Sequence, residues 1–204
     1  MPVNSLTNMT VPLGSEGQSS STQGLLMPKL KYRFRVLFLN FGVTQPSTEL
    51  TKQVMDFTRP EVEFELKTID IYNSKVKYAG KPTWGNATLN VRDDMQGNVS
   101  RLVGEQIQKQ FDFAQQASGS SGIDYKMTVS VDILDGGNGA VDPIVLENWT
   151  LVGSFITQVN YGELSYESSD PVTIQMILSF DNAIQTPNGV GTTSIPRTLG
   201  TIAI

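Results

Sequence analysis

The 204 residues carry a net charge of −5, with 39% apolar and 17% charged side chains and no histidine or cysteine. That is apolar enough for a core and too poor in charge for a disordered chain. The missing residue types exclude disulfides, thiolate chemistry, imidazole ligands and a Ser-His-Asp triad, and the acidic balance argues against a basic face for nucleic acid.

Residues 1–28 read as an arm: "NSLTNMTVPLGSEGQSSSTQG" has no hydrophobic period and cannot offset its own ordering entropy. The first basic residue is Lys29 and no long apolar run precedes it, so neither a secretory leader nor a membrane span is expected. "LKYRFRVLFLNF" (30–41) alternates as a strand, with Tyr32, Phe34, Val36 and Phe38 on one face. Residues 42–53 read as a loop. "VEFELKTIDIY" (62–72) changes phase: Val62, Phe64 and Leu66 give way to Ile69 and Ile71, which predicts a bulge or break near Lys67 and Thr68. A turn at Asn73-Ser74 would pair Ile71 with Val76, Ile69 with Tyr78 and Asp70 with Lys77, as a hairpin.

"GKPTWG" (80–85) is a turn, and "NATLNVRDD" alternates through Ala87, Leu89 and Val91. The spacing of Val99, Leu102, Val103, Ile107, Phe111 and Ala114 predicts the one helix, capped by Asp93, Asp94 or Asn98 and ended by "SGSSG". "YKMTVSVDILD" (125–135) alternates cleanly. "NWTLVGSFITQVNYG" places Trp149, Leu151, Phe155, Val159 and Tyr161 on one face, and "DPVTIQMILSFD" closes the body with Val172, Ile174, Met176, Leu178 and Phe180. From 182 onward the chain again looks arm-like. The organisation expected is an N-terminal arm (1–28), a β domain (29–184) and a C-terminal tail (185–204).

Candidate chemistry is thin. Glu61, Glu63 and Glu65 share a strand face, and Asp93 and Asp94 precede the helix; a solvated face and a helix cap explain them better than acid–base catalysis. Asp132, Asp135, Asn138 and Asp142 offer oxygen ligands without the EF-hand spacing. Trp84, Trp149, Tyr161 and Tyr166 sit in or beside strand patterns, with no interleaved basic residues to suggest nucleic-acid stacking. No cofactor, metal or catalytic residue is expected. Several strands have a second face that is polar but uncharged, where a monomer would place charge.

In order, "KYRFRVLFLNF", "NSKVKYAGKPTWGNATLNVRDDM", the helix "VSRLVGEQIQKQFDFAQQAS" and "NWTLVGSFITQVNYGELSYESSDPVTIQMILSFDNA" resemble the tail tube proteins of contractile-tailed bacteriophages similar to the T-even phages. The resemblance covers about 30–184. It implies a mainly β fold of two packed antiparallel sheets, sandwich- or barrel-like, with one flanking helix, six copies sharing a β-barrel in a hexameric ring. Rings would stack as a hollow tube inside a sheath protein. A tape measure protein and double-stranded DNA would occupy the lumen without sequence-specific binding, and baseplate and tail terminator proteins would close the ends. Such a subunit is made in the bacterial host cytoplasm, contacts no membrane and ends in the virion. The turn at 80–85 and the loop at 42–60 become candidates for ring-to-ring contact. Lys77, Tyr78, Lys81, Pro82, Trp84, Asp93, Asp94 and Glu163 are then expected at subunit interfaces, and Glu61, Glu63 and Glu65 toward the lumen. The alternatives are the tube of a phage-derived injection or secretion system, a tube-initiating baseplate protein, and a carbohydrate-binding β-sandwich with Trp84 and Trp149 lining a groove.

Overall fold

In the computed structural model, residues 29–43, 48–119, 121–136 and 143–192 are described. The arm at 1–28 and the last twelve residues of the expected tail lie outside them. Strand β1 (Phe34–Leu39) is followed by a short helix α1 (Thr48–Lys52) and β2 (Val54–Phe57). The long strands β3 (Val62–Ile71) and β4 (Ser74–Trp84) come next, then β5 (Ala87–Arg92) and helix α2 (Asn98–Gln110). A small hairpin, β6 (Phe111–Asp112) and β7 (Ala117–Ser118), leads to α3 (Gly122–Tyr125), β8 (Met127–Leu134), β9 (Val145–Asn160), β10 (Thr173–Ser179) and β11 (Asn182–Thr186).

The expected pair of packed sheets closing a barrel is not what forms. Six strands make one continuous antiparallel path, β1-β8-β9-β10-β5-β2, and β11 joins the sheet as a seventh by pairing with β9. The physical reason is the length of β9. Its first part pairs with β8 and β11, and its last part with β10, so one strand joins what would otherwise be two sheets. The path ends in β1 and β2, which do not pair with each other, and among the described residues no sheet closes on itself. Two further sheets are two-stranded: the β3–β4 ribbon and the β6–β7 hairpin.

Alternation carries the core. Val36, Phe38, Ala87, Leu89, Val91, Met127, Val129, Val131, Ile174, Met176 and Leu178 all point inward and join Val99, Leu102 and Val103 of α2 in one buried cluster. In β9 the alternation slips twice. Val129 faces Leu151 but Met127 faces Ser154, so β9 has one extra residue at Val152–Gly153. Gly153 has φ +69, and a Cβ there would come within 2.2 Å of Asp181 Oδ2. After this bulge Ser154 and Ile156 are buried, whereas Phe155, expected inside, is only half-buried. A second register shift on pairing with β10 returns Val159 to the core.

Helix α2 stops at Gln110, short of Phe111 and Ala114, which the sequence places in its stripe. Asp112 is the cause: its Oδ1 accepts from the amides of Ala114 (2.9 Å) and Gln115 (3.1 Å) and closes a turn instead of a further helical turn. Residues 182–186 are also not arm-like, because Ala183 is buried and the strand pairs with β9 from Val152 to Asn148. The stretch 42–53 read as loop contains α1, whose Leu50 is fully buried.

Candidate assembly surface

The ribbon β3–β4 differs from every other strand pair: almost all its side chains are exposed. A two-stranded hairpin has no core of its own and is marginal in water. Its turn is Tyr72–Asn73, with Tyr72 at φ +39, so Ile71 faces Ser74, Asp70 faces Lys75 and Ile69 faces Val76. The register expected from a two-residue turn at Asn73-Ser74 is therefore corrected: the turn lies one residue earlier, where Tyr72 takes the positive φ.

The phase change read in the sequence has an unexpected outcome. β3 runs unbroken from Val62 to Ile71. The register shift lies between Phe64 and Leu66, with the extra residue on β4, opposite Glu65. Gly80 is needed there, since a Cβ would approach the Glu65 carbonyl oxygen to 2.9 Å. Because β3 itself keeps strict alternation, its apolar residues change face. Near the body, Val62, Phe64 and Leu66 stand with Ala79, Pro82 and Trp84 on one side. Toward the tip, Ile69 and Ile71 stand with Val76 and Tyr78 on the other. Phe64 is 55% exposed, Leu66 63%, Ile69 52% and Tyr78 50%. Contiguous exposed apolar rows of this kind mark interaction surfaces.

The ribbon holds seven of the eleven residues singled out for contact or lumen, and Glu61 immediately precedes it. Lys77, Tyr78, Lys81, Pro82 and Trp84 all lie on β4, and Glu63 and Glu65 share one face of β3 beside Glu61. Trp84 anchors the base by packing on Phe180, ring centroids 5.7 Å apart. Asp93 and Asp94 are elsewhere and occupied. Gly97 is the N-cap of α2 and has no side chain to offer, so the carboxylates serve the orphan amides from upstream. Asp94 accepts from the Asn98 amide (2.7 Å) and Asp93 from the Ser100 amide (3.2 Å). Desolvation acts upward on Asp94, but the side-chain and backbone hydrogen bonds of Asn98 outweigh it and hold the carboxyl below its usual value. Glu163 sits exposed in the connection before β10.

The outward face of the main sheet is polar and hydrogen-bonded across strands. Arg35 donates to Asp132 (2.7 Å) and Asn148 donates to the other Asp132 oxygen (2.6 Å) across strands, while Thr150 donates to Asn148 (2.8 Å) along β9. These bonds occupy Asp132, proposed above as an oxygen ligand. Asn138 and Asp142 lie outside the described residues, and among the described residues no group of three or more acidic side chains is placed to hold a metal.

One buried cluster escapes the sequence reading. Glu147 faces inward on β9 and accepts from Trp149 Nε1 (2.6 Å), Gln185 Nε2 (2.8 Å) and Lys29 Nζ. It ties the first described residue and β11 to the centre of the sheet. Desolvation raises its pKa, yet the bonds from Lys29, Trp149 and Gln185 leave it below the usual carboxylate value. The signal was available: Glu147 shares the parity of Trp149 and Leu151, so it is an acid on the core side of a strand. The same cluster removes Trp149 from any sugar-binding groove, for it is buried and its indole N–H is used. Two amides do comparable work on α2. Gln106 bridges Gly42 N and Tyr125 O, and Gln110 exchanges two bonds with the backbone of Ile156, on the stretch of β9 beyond its pairing with β8.

No family model and no curated protein matches this chain by sequence. Solved structures do match by fold. A chain of the anti-feeding prophage baseplate, six-fold symmetrised, aligns with 79% of this chain and 97% of its own length, at 15% identity and TM-score 0.57. A chain from the sheath/tube terminator of an extracellular contractile injection system in its extended state aligns over 80% of this chain and all of its own, at 15% identity and TM-score 0.59. One from the anti-feeding prophage tube-terminating cap covers 81% and 95%, at 15% identity and TM-score 0.56.

The chain thus shares a fold, distantly, with components of contractile injection systems. At 15% identity these matches show a shared fold alone, and they do not single out the T-even tail tube. Among the described residues no helix is long and apolar enough to cross a membrane.

Proposed function

We propose that this chain is a tube subunit of a contractile injection system, in which copies associate into rings and the rings stack. The observation that carries this reading is the β3–β4 ribbon, whose exposed apolar rows call for cover by protein, on a fold shared with chains of contractile injection assemblies. Sheath, baseplate and terminator proteins are the partners that go with it, and the finished particle is where it acts. The polar outer face, with Thr128, Ser130, Asn148 and Thr150 beside a paired Arg35–Asp132, suits a surface past which cargo moves without sticking. A DNA-conducting phage tail has the same physical needs; the injection reading is preferred because the fold matches described above are to injection assemblies. A tube-end subunit is the second reading, since those assemblies include a baseplate and a terminating cap.

Negative-stain electron microscopy of the purified full chain tests this. Rings or hollow tubes are expected of a tube subunit, and single rings that never extend of an end subunit. A monodisperse single chain at every concentration tried contradicts both.

A further inference from the structure

Among the described residues, Asn188 alone of the asparagines is followed by glycine. It is exposed and its side chain has no hydrogen-bond partner, whereas Asn40, Asn90, Asn98, Asn148, Asn160 and Asn182 all bond through theirs. Asn73 and Asn86 have free side chains too, but Ser74 and Ala87 follow them. The glycine is required by the loop: Gly189 has φ +153, and a Cβ there would come within 2.0 Å of Gln185 Oε1. Lacking a Cβ, Gly189 also leaves its amide nitrogen open to the side chain before it. That N–H is held by a long bond, 3.3 Å, to Thr192 Oγ1.

We infer that Asn188 is a site of spontaneous covalent conversion in the folded chain, and that the product releases Gln185 from Glu147. Asparagine is a labile side chain. The Gly189 nitrogen gives its proton to hydroxide and attacks the Asn188 amide carbon. A C–N bond forms, the side-chain amide leaves as ammonia, and a cyclic imide remains. Water then adds to one imide carbonyl and breaks its C–N bond. The product is aspartate or, with the main chain rerouted through the side-chain carbonyl carbon, isoaspartate. Water is the only co-reactant, and nothing is oxidised or reduced. Either product adds a negative charge to a chain already at −5, and isoaspartate also lengthens the main chain by a carbon.

The loop that holds Asn188 is closed at both ends. Gln185 N donates to Val190 O (2.7 Å), and Val190 N donates to Gln185 Oε1 (3.4 Å). Gln185 Nε2 donates in turn to Glu147 Oε1 (2.8 Å). An added main-chain carbon between Gln185 and Val190 pushes the two ends apart, and Glu147 loses a donor. The inference does not depend on how the chain assembles.

The full chain is aged in mildly alkaline buffer at physiological temperature. Peptide mass mapping follows each asparagine, and a protein isoaspartate methyltransferase with a labelled methyl donor counts isoaspartate. Asn188 should convert at least about tenfold faster than Asn73 or Asn86, a barrier lower by about 1.4 kcal/mol. Equal rates at the three positions, or conversion at Asn188 only after unfolding in urea, would overturn the inference. So would methyl label confined to the Asn138-Gly139 step, which lies outside the described residues. Hydrogen exchange then compares the aged chain with Asn188→Ser aged beside it. The Gln185 amide should lose protection in the first and keep it in the second. Unchanged exchange in converted chain overturns the release of Gln185.

Discussion

The sheet around β9 and the β3–β4 ribbon are both antiparallel, rich in β-branched and aromatic residues, and built from long strands. They differ in where the apolar side chains go. Alternate side chains of β5, β10 and β8 as far as Val131 enter one cluster, and among the described residues every buried side-chain nitrogen and oxygen has a hydrogen-bond partner. In the ribbon the same alternation leaves both apolar rows in water. The lesson is that a period-two pattern specifies a strand face, not that the chain itself will cover it. What the body covers by itself, the ribbon leaves exposed.

The largest effects that separate the two regions are in the core. Leu151→Ala or Met176→Ala should cost about 2–5 kcal/mol in chemical denaturation, whereas Ile69→Ala should change the dissociated chain by no more than about 0.5 kcal/mol. A ribbon substitution as costly as a core one would break the comparison.

Next comes Glu147→Ala, which leaves the Trp149 and Gln185 donors without their acceptor and should cost about 2–3 kcal/mol at neutral pH. The folded carboxyl lies below its ordinary value. Its contribution is therefore complete above the unfolded pKa of about 4.3 and disappears as pH falls through the lower folded value. Glu147→Gln should flatten that part of the acid denaturation curve. Gln110→Ala removes the amide that pairs with Ile156 and should cost about 1 kcal/mol, read as a lower thermal midpoint.

The smallest effect on the chain and the sharpest on assembly belongs to Gly80→Val. It crowds the Glu65 carbonyl at the bulge, so sedimentation should show weakened association while the melting temperature of the dissociated chain stays nearly unchanged.

Much of the body was legible because its strands obey one period without interruption. Ala87, Leu89 and Val91, and Ile174, Met176 and Leu178, are buried as their spacing predicts. The errors fall where a single residue resets the period. Gly153 inserts a bulge that turns Phe155 away and Ile156 inward, and nothing in the alternation distinguishes that from a strand with two half-apolar faces. Asp112 ends α2 by a local turn although the apolar stripe continues through Phe111. In β3 the phase change was legible but its meaning was not. A bulge would have kept one apolar face, and the strand instead spends its two halves on two faces. The resemblance singled out residues of β4 as expected contacts, whereas the exposure of the ribbon depends on its having no third strand, which sequence spacing does not encode.

On the reading proposed above, the ribbon is completed by other copies of the chain. Hydrogen exchange on the full chain, compared between concentrated and diluted samples, tests it most directly. Amides of β3 and β4 should gain protection as concentration rises, while those of β5, β8 and β10 stay slow throughout. Ribbon amides that exchange at the same rate at every concentration would contradict it.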